Sequence, residues 1–157
     1  MNKIEVAVVS LTLLIGSIIV GCRTWGYTSE EQMIFDAGVA TAFDWYNLST
    51  PMPHAQDVAD MKNAVVPKCW SSFKPVTNGV YSPLVPEIME AVNLKVSRPE
   101  VCKSGITKII SEMDKLFAAN PLWKADAETK YAIYLTGVRN GLYLNIARKN
   151  IPPQESK

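Results

Sequence analysis

Residues 97–121 read "SRPEVCKSGITKIISEMDKLFAANP", and no other stretch constrains the architecture as tightly. Ser97 and Glu100 have the spacing of a capping box, in which a serine hydroxyl and a glutamate carboxylate each cover an orphan amide at a helix start. Behind them Cys102, Ile106, Ile109, Ile110, Met113 and Phe117 recur at steps of three and four, the period that gathers apolar side chains on one helix face. Asn120-Pro121 then stops the run.

The same grammar extends in both directions. Downstream, a helix starting near Asp126 carries Tyr131, Leu135, Val138, Leu142 and Ile146 on one stripe and ends before Pro152-Pro153. Gly137 and Gly141 within it have a small-xxx-small spacing. Because Arg139 and Asn140 lie between them, this spacing serves close packing inside a bundle before it serves a dimer contact. Upstream, Ser82-Pro83 offers an N-cap and a first-turn proline for a helix reaching about Val96, with Pro86 also in its first turn. From Pro67 to Pro83 the chain reads as irregular, with Asn78-Gly79 a turn signal. A shorter helix covers "HAQDVADMKNAVV" (54–66) and ends at Pro67. Ser29-Glu30-Glu31-Gln32 is a second capping box. It opens a helix to about Leu48 with Ile34, Phe35, Gly38, Val39, Ala42, Phe43, Trp45 and Tyr46 on a broad apolar face. Five amphipathic helices and no alternating strand predict an all-α domain, a small bundle over residues 30–151 with a short tail at 152–157.

Composition agrees. The chain has 157 residues, 48% of them hydrophobic and 20% charged, enough for one domain with a real core. A net charge of +1 argues against nucleic acid as a partner. The charge is unevenly placed, however. Residues 23–60 hold one basic and six acidic side chains, a net of −5, whereas residues 61–157 hold fourteen basic and eight acidic, a net of +6. The first expectation is that the halves pack together and neutralise each other. The second is a basic flank of Lys62, Lys68, Lys74, Arg148 and Lys149 facing an anionic surface or acidic partner.

The amino terminus sets the compartment. Val6 to Gly21 is a run of sixteen uncharged residues, "VAVVSLTLLIGSIIVG", behind Lys3. As a helix it would span about 24 Å, short of a hydrocarbon core of about 30 Å. Ile19 is a poor match for the small residue that ordinary secretory cleavage wants three places before the cut. Read as Ile19-Val20-Gly21-Cys22, the end of the run resembles the lipobox of bacterial lipoprotein precursors. That resemblance covers only the leader, residues 1–21. It implies that the leader is removed, that Cys22 is lipidated (diacylglyceryl on sulfur, a palmitate-type anchor), and that residues 22–29 form a tether. Arg23 stands where such lipoproteins carry Asp when they stay at the inner membrane, so the resemblance implies an outer-membrane anchor facing the periplasm. The alternative is a signal-anchor helix that leaves a single-pass inner-membrane protein. On either reading the helical domain lies outside the cytoplasm.

Two cysteines then remain, an even number in an oxidising compartment. A structural disulfide between Cys69, in the expected loop, and Cys102, in a first helical turn, is the first expectation. It would close a loop of 33 residues, with a chain-entropy contribution of roughly 3–4 kcal/mol. Two buried thiols are the second reading, and redox chemistry, lacking any C-x-x-C pair, the third.

Motifs for catalysis and cofactors are missing. One histidine, His54, cannot complete a zinc site with two free thiols. Asp57 and Asp60 beside it read as a solvated acidic face before they read as a cation site. No nucleophile elbow or glycine-rich phosphate loop occurs. Glu87 with Glu90, or Glu112 with Asp114, have the residue types of a glycan hydrolase but also those of ordinary helix surfaces. No cofactor and no metal is expected. Trp70 and Phe73, flanking Cys69, together with Lys62, Lys68 and Lys74, are the candidate partner-binding residues, the two aromatics being equally suited to plug the end of the bundle. The expectation is a non-catalytic envelope accessory factor of the assembly, escort or exclusion type. It would be held at the membrane by its amino terminus and act on another envelope protein, with oligomeric state open. An envelope hydrolase acting on cell-wall glycan, or a bitopic subunit of a membrane complex, are the competing classes.

Overall fold

A computed structural model describes residues 26–76 and 80–149, with side-chain surroundings given outside residues 75–81 and 146–149. Lipidation of Cys22 and the whole leader therefore lie outside the described residues. The chain divides into two compact units, residues 1–32 and 33–157.

Of the first unit, residues 26–32 are described, and they hold the start of helix α1, Ser29–Leu48. The capping box forms one residue earlier than expected: Thr28, not Ser29, is the cap. The Glu31 amide donates to Thr28 Oγ1 at 3.2 Å, and the Thr28 amide donates back to Glu31 Oε2 at 2.8 Å. Two overlapping registers compete here, and the carboxylate of Glu31 accepts better at the positive helix end than the neutral amide of Gln32.

The second unit is an all-α bundle. Beyond α1, its helices are α2 (residues 55–71), α3 (Val85–Lys95), α4 (Pro99–Ala119) and α5 (Ala127–Lys149), with a 3-10 turn at Pro121–Asp126 before α5. Most of the expected stripes become the core, although Val39 and Phe43 of α1 and Ile110 and Phe117 of α4 are half-buried, and the Ile146 side chain lies outside those described. Tyr131, Val138 and Leu142 of α5 are buried with Ile106, Ile109 and Met113 of α4, and with Ile34, Ala42 and Trp45 of α1. Trp45 Nε1 donates to Ser104 Oγ at 3.0 Å, tying α1 to α4. Helix α2 packs on α5, and α3 on α4.

Gly137 and Gly141 do bring α5 close to a neighbour, and the neighbour is α1. A Cβ on Gly137 would strike the Phe35 carbonyl oxygen, and one on Gly38 the Tyr134 carbonyl oxygen. At Gly141 it would come within 2.8 Å of the Ala42 Cβ. The two backbones are therefore in direct contact, a separation that only glycine permits.

Four local expectations change. Pro67 does not end α2. Helical turns Ala55–Asp60 and Val66–Ser71 are joined by a π turn, Met61–Val65, in which the Val66 amide bonds to the Met61 carbonyl. The extra residue widens the turn just where the proline ring would meet the carbonyl four residues earlier, so the helix passes through it. The region expected to be irregular includes the end of α2, so Cys69 and Trp70 are helical. It also holds an antiparallel hairpin, β1 (Phe73–Val76) with β2 (Val80–Pro83), in register from Phe73↔Pro83 to Val76↔Val80. Helix α3 then begins at Val85 with Pro86 in its first turn, because Ser82 and Pro83 belong to β2. Finally, the capping box at Ser97 does not form. The cap residue of α4 is Arg98, and the Ser97 amide instead donates to Asp60 Oδ2 at 2.9 Å.

Candidate functional site

The π turn and the last turns of α2 lie along α5, and a groove runs between them. Its centre is a cavity of about 270 Å³ lined by Val66, Pro67, Trp70, Ala132, Leu135 and Thr136, with Arg139 at its edge. Thr136 and Arg139 also line a second space of about 280 Å³, shared with Lys62, Asn140 and Tyr143. Trp70 and Ala132 likewise belong to a third of about 410 Å³ that reaches Asp126, Glu128 and Thr129. These shared walls set the three spaces in a row along α5, together called the groove. At a rise of about 1.5 Å per residue from Asp126 to Tyr143, it is roughly 25 Å long.

Trp70 stands at the middle, 42% exposed. Its ring is backed by a ladder of aromatics running into the core. Phe73 lies at 6.3 Å and 12°, Tyr131 stacks on Phe73 at 4.3 Å and 22°, and Tyr134 is 6.3 Å beyond Tyr131. The far end is pinned, since Tyr134 Oη lies 2.8 Å from Thr41 Oγ1 and 3.3 Å from the Ile109 carbonyl oxygen. A large ring fixed from behind loses little freedom when a partner covers it, which is how aromatic anchors become dominant contacts.

The groove is charged with opposite sign at its two ends. Lys62 stands over the Tyr143 ring, its Nζ 5.6 Å from the centroid, and Arg139 is exposed beside it. Asp126 and Glu128 are exposed at the other end. Among the described residues none of these four belongs to an ion pair.

Of the residues expected to bind a partner, the structure brings Lys62 and Trp70 to this groove and sets Phe73 behind Trp70 as support. Lys68 is half-buried on α2 and Lys74 is exposed on β1, and neither lines it. Arg139, Thr136, Asn140, Tyr143, Asp126 and Glu128 were not among the partner-binding residues expected from the sequence. The available signal was a row at 132, 136, 139 and 143, helical in spacing and adjacent to the apolar stripe of α5.

The expected bridge between Cys69 and Cys102 is absent from the structure. Both are free thiols, and both are completely buried. Burial pushes each thiol up to about 12, with Asp60 and Asp57 adding to the effect at Cys102. Such thiols are inert core side chains.

Of the remaining candidates, Asp57, Asp60 and Glu112 are held in structural contacts. Asp57 is not on a solvated face but fully buried. Its Oδ2 accepts from Arg98 Nη1 at 2.9 Å and from the His54 amide at 2.7 Å, while Asp60 accepts from Gln56 and the Ser97 amide. These carboxylates clamp the start of α4 to α2. Among the described residues no cluster of three or more histidine, cysteine or acidic side chains has a metal-binding arrangement. Glu112 sits between Lys115 at 2.9 Å and Lys108 at 3.2 Å, and Lys115 first, then Lys108, holds its carboxyl below the usual range. Asp114 moves the other way, raised by desolvation. Two residues apart on a helix, they do not face one site. Glu87 and Glu90 are exposed.

No protein-family model, curated protein or solved structure matches this chain.

Proposed function

We propose that this protein is a non-catalytic accessory factor of a bacterial cell envelope, tied to the outer membrane through lipid on Cys22 and holding a segment of another envelope protein in the groove between α2 and α5. The leader supports the compartment: Ile19-Val20-Gly21-Cys22 closes an uncharged run and Arg23 follows it. One observation supports the binding role above the others. Trp70 is an exposed aromatic, braced by Phe73 and Tyr131, at the centre of a groove long enough for several turns of a partner helix.

The test is a photo-crosslinking amino acid placed at Thr136, an exposed groove position, in the full chain in its native membrane. A discrete crosslinked species that disappears with Trp70→Ala supports the reading. Adducts unchanged by that substitution, or cell-wall clearing by the purified protein in a zymogram, would overturn it.

A further inference from the structure

We propose that the groove selects a dipolar segment: a partner stretch with an apolar centre against Trp70, acidic side chains at one end and basic side chains at the other. This rests on the reading of the groove as a partner site and adds the chemistry of what enters it.

The argument is the order of charges along the walls. Lys62 and Arg139 mark one end, Trp70 and Leu135 the apolar middle, Asp126 and Glu128 the other end. Arg139 presents a planar fork suited to a carboxylate, and Lys62 is already held in place by Tyr143. From Glu128 to Arg139 is eleven residues of helix, roughly 16 Å. A matching partner therefore separates its charges by about eleven residues if helical or about five if extended. Charge pairs of this kind choose partners and fix register more than they add affinity. A flat anionic membrane fits less well, because Asp126 and Glu128 would face it with like charge and Trp70 lies inside a concavity.

The experiment is selection from a random dodecapeptide library on the full-length protein in detergent. The expected Trp70-dependent binders carry an apolar core between an acidic end and a basic end. The double variant Lys62→Glu with Arg139→Glu turns both ends acidic, so it should lose these binders by about tenfold or more in affinity. It should also select peptides basic at both ends. Asp126→Lys with Glu128→Lys should do the reverse. Thr136→Phe, which fills the groove from an exposed position, must abolish the same binders, so the result does not depend on Trp70→Ala folding. Groove-dependent binders without charge order overturn the dipolar rule and leave the partner site standing. An absence of any groove-dependent binder overturns both. Displacement of a selected peptide by phosphatidylglycerol vesicles, but not by phosphatidylcholine vesicles, overturns the choice of a peptide over a membrane surface.

Discussion

Cys69 and Cys102 illustrate how burial decides the chemistry of a side chain. With each thiol pushed up to about 12, roughly one in ten thousand is thiolate at pH 8, and neither is open to solvent. Maleimide should leave both unmodified in the folded protein and modify both after denaturation without reductant. Mass spectrometry reads the count, and a requirement for reductant would show that the two are bridged after all. Asp57 presents the opposite case, a buried charge that must keep its partner. Removing it by Asp57→Ala takes away the acceptor of the His54 amide and the nearer of Arg98's two carboxylate partners, Glu100 remaining at 3.8 Å, with an expected loss of about 2 kcal/mol in urea unfolding. Glu112 gives the pH dependence. Lys115 and Lys108 depress its folded-state pKa below the ordinary 4.5, so its pairing stabilises the fold above that value. The contribution is lost as pH falls through the lower folded value. Unfolding midpoints measured from pH 6 to pH 3 should therefore fall less steeply for Glu112→Gln than for the unaltered chain.

The contact between α1 and α5 is where an element-scale preference and a packing constraint have opposite signs. Alanine in place of a helical glycine ordinarily stabilises by about 1 kcal/mol. At Gly137 or Gly38 the added carbon meets backbone carbonyl, which cannot rotate away, so Gly137→Ala should destabilise by roughly 2 kcal/mol or more in thermal or urea unfolding. A neutral or stabilising result would mean the helices are not in contact. The Gly137/Gly141 spacing was legible in the sequence, as were most of the core stripes of α4 and α5, because burial enforces helical periodicity directly on the sequence; that Gly38 is their counterpart on α1 was not. Helix starts were less legible. Thr28 and Ser29 both head an S/T-x-x-E/Q pattern, and Ser97 does too, yet its amide is taken by Asp60 from another helix. The passage through Pro67 depends on a π turn that no residue type announces. The hairpin was hidden by its four-residue strands, each carrying a proline. The groove was half legible. Trp70 and Lys62 carried a signal of their own, whereas Thr136 and Arg139 matter only through the neighbour that α2 supplies.

At the scale of the molecule, the uneven charge along the chain is resolved partly within the bundle. Asp57 pairs with Arg98 and Asp44 with Lys108, each joining the acidic part of the sequence to the basic part. Lys62 and Arg139 stand outside these pairs at one end of the groove, with Asp126 and Glu128 at the other, where a partner of ordered charge would meet both. On the function proposed above, the amino-terminal anchor is what would bring such a partner within reach. No helix among the described residues is long and apolar enough to cross a membrane; the attachment proposed is through the leader or lipid on Cys22. A diacylated cysteine embeds two chains, each contributing about 0.8 kcal/mol per buried methylene, which holds firmly where one chain would exchange. Membrane-extracted protein should therefore give an intact mass for residues 22–157 plus acyl chains, and Cys22→Ala should abolish that processing and leave the leader attached. A mass that retains Met1 without lipid would instead identify the apolar run as a signal anchor, moving the groove to the inner membrane and changing the set of proteins able to enter it.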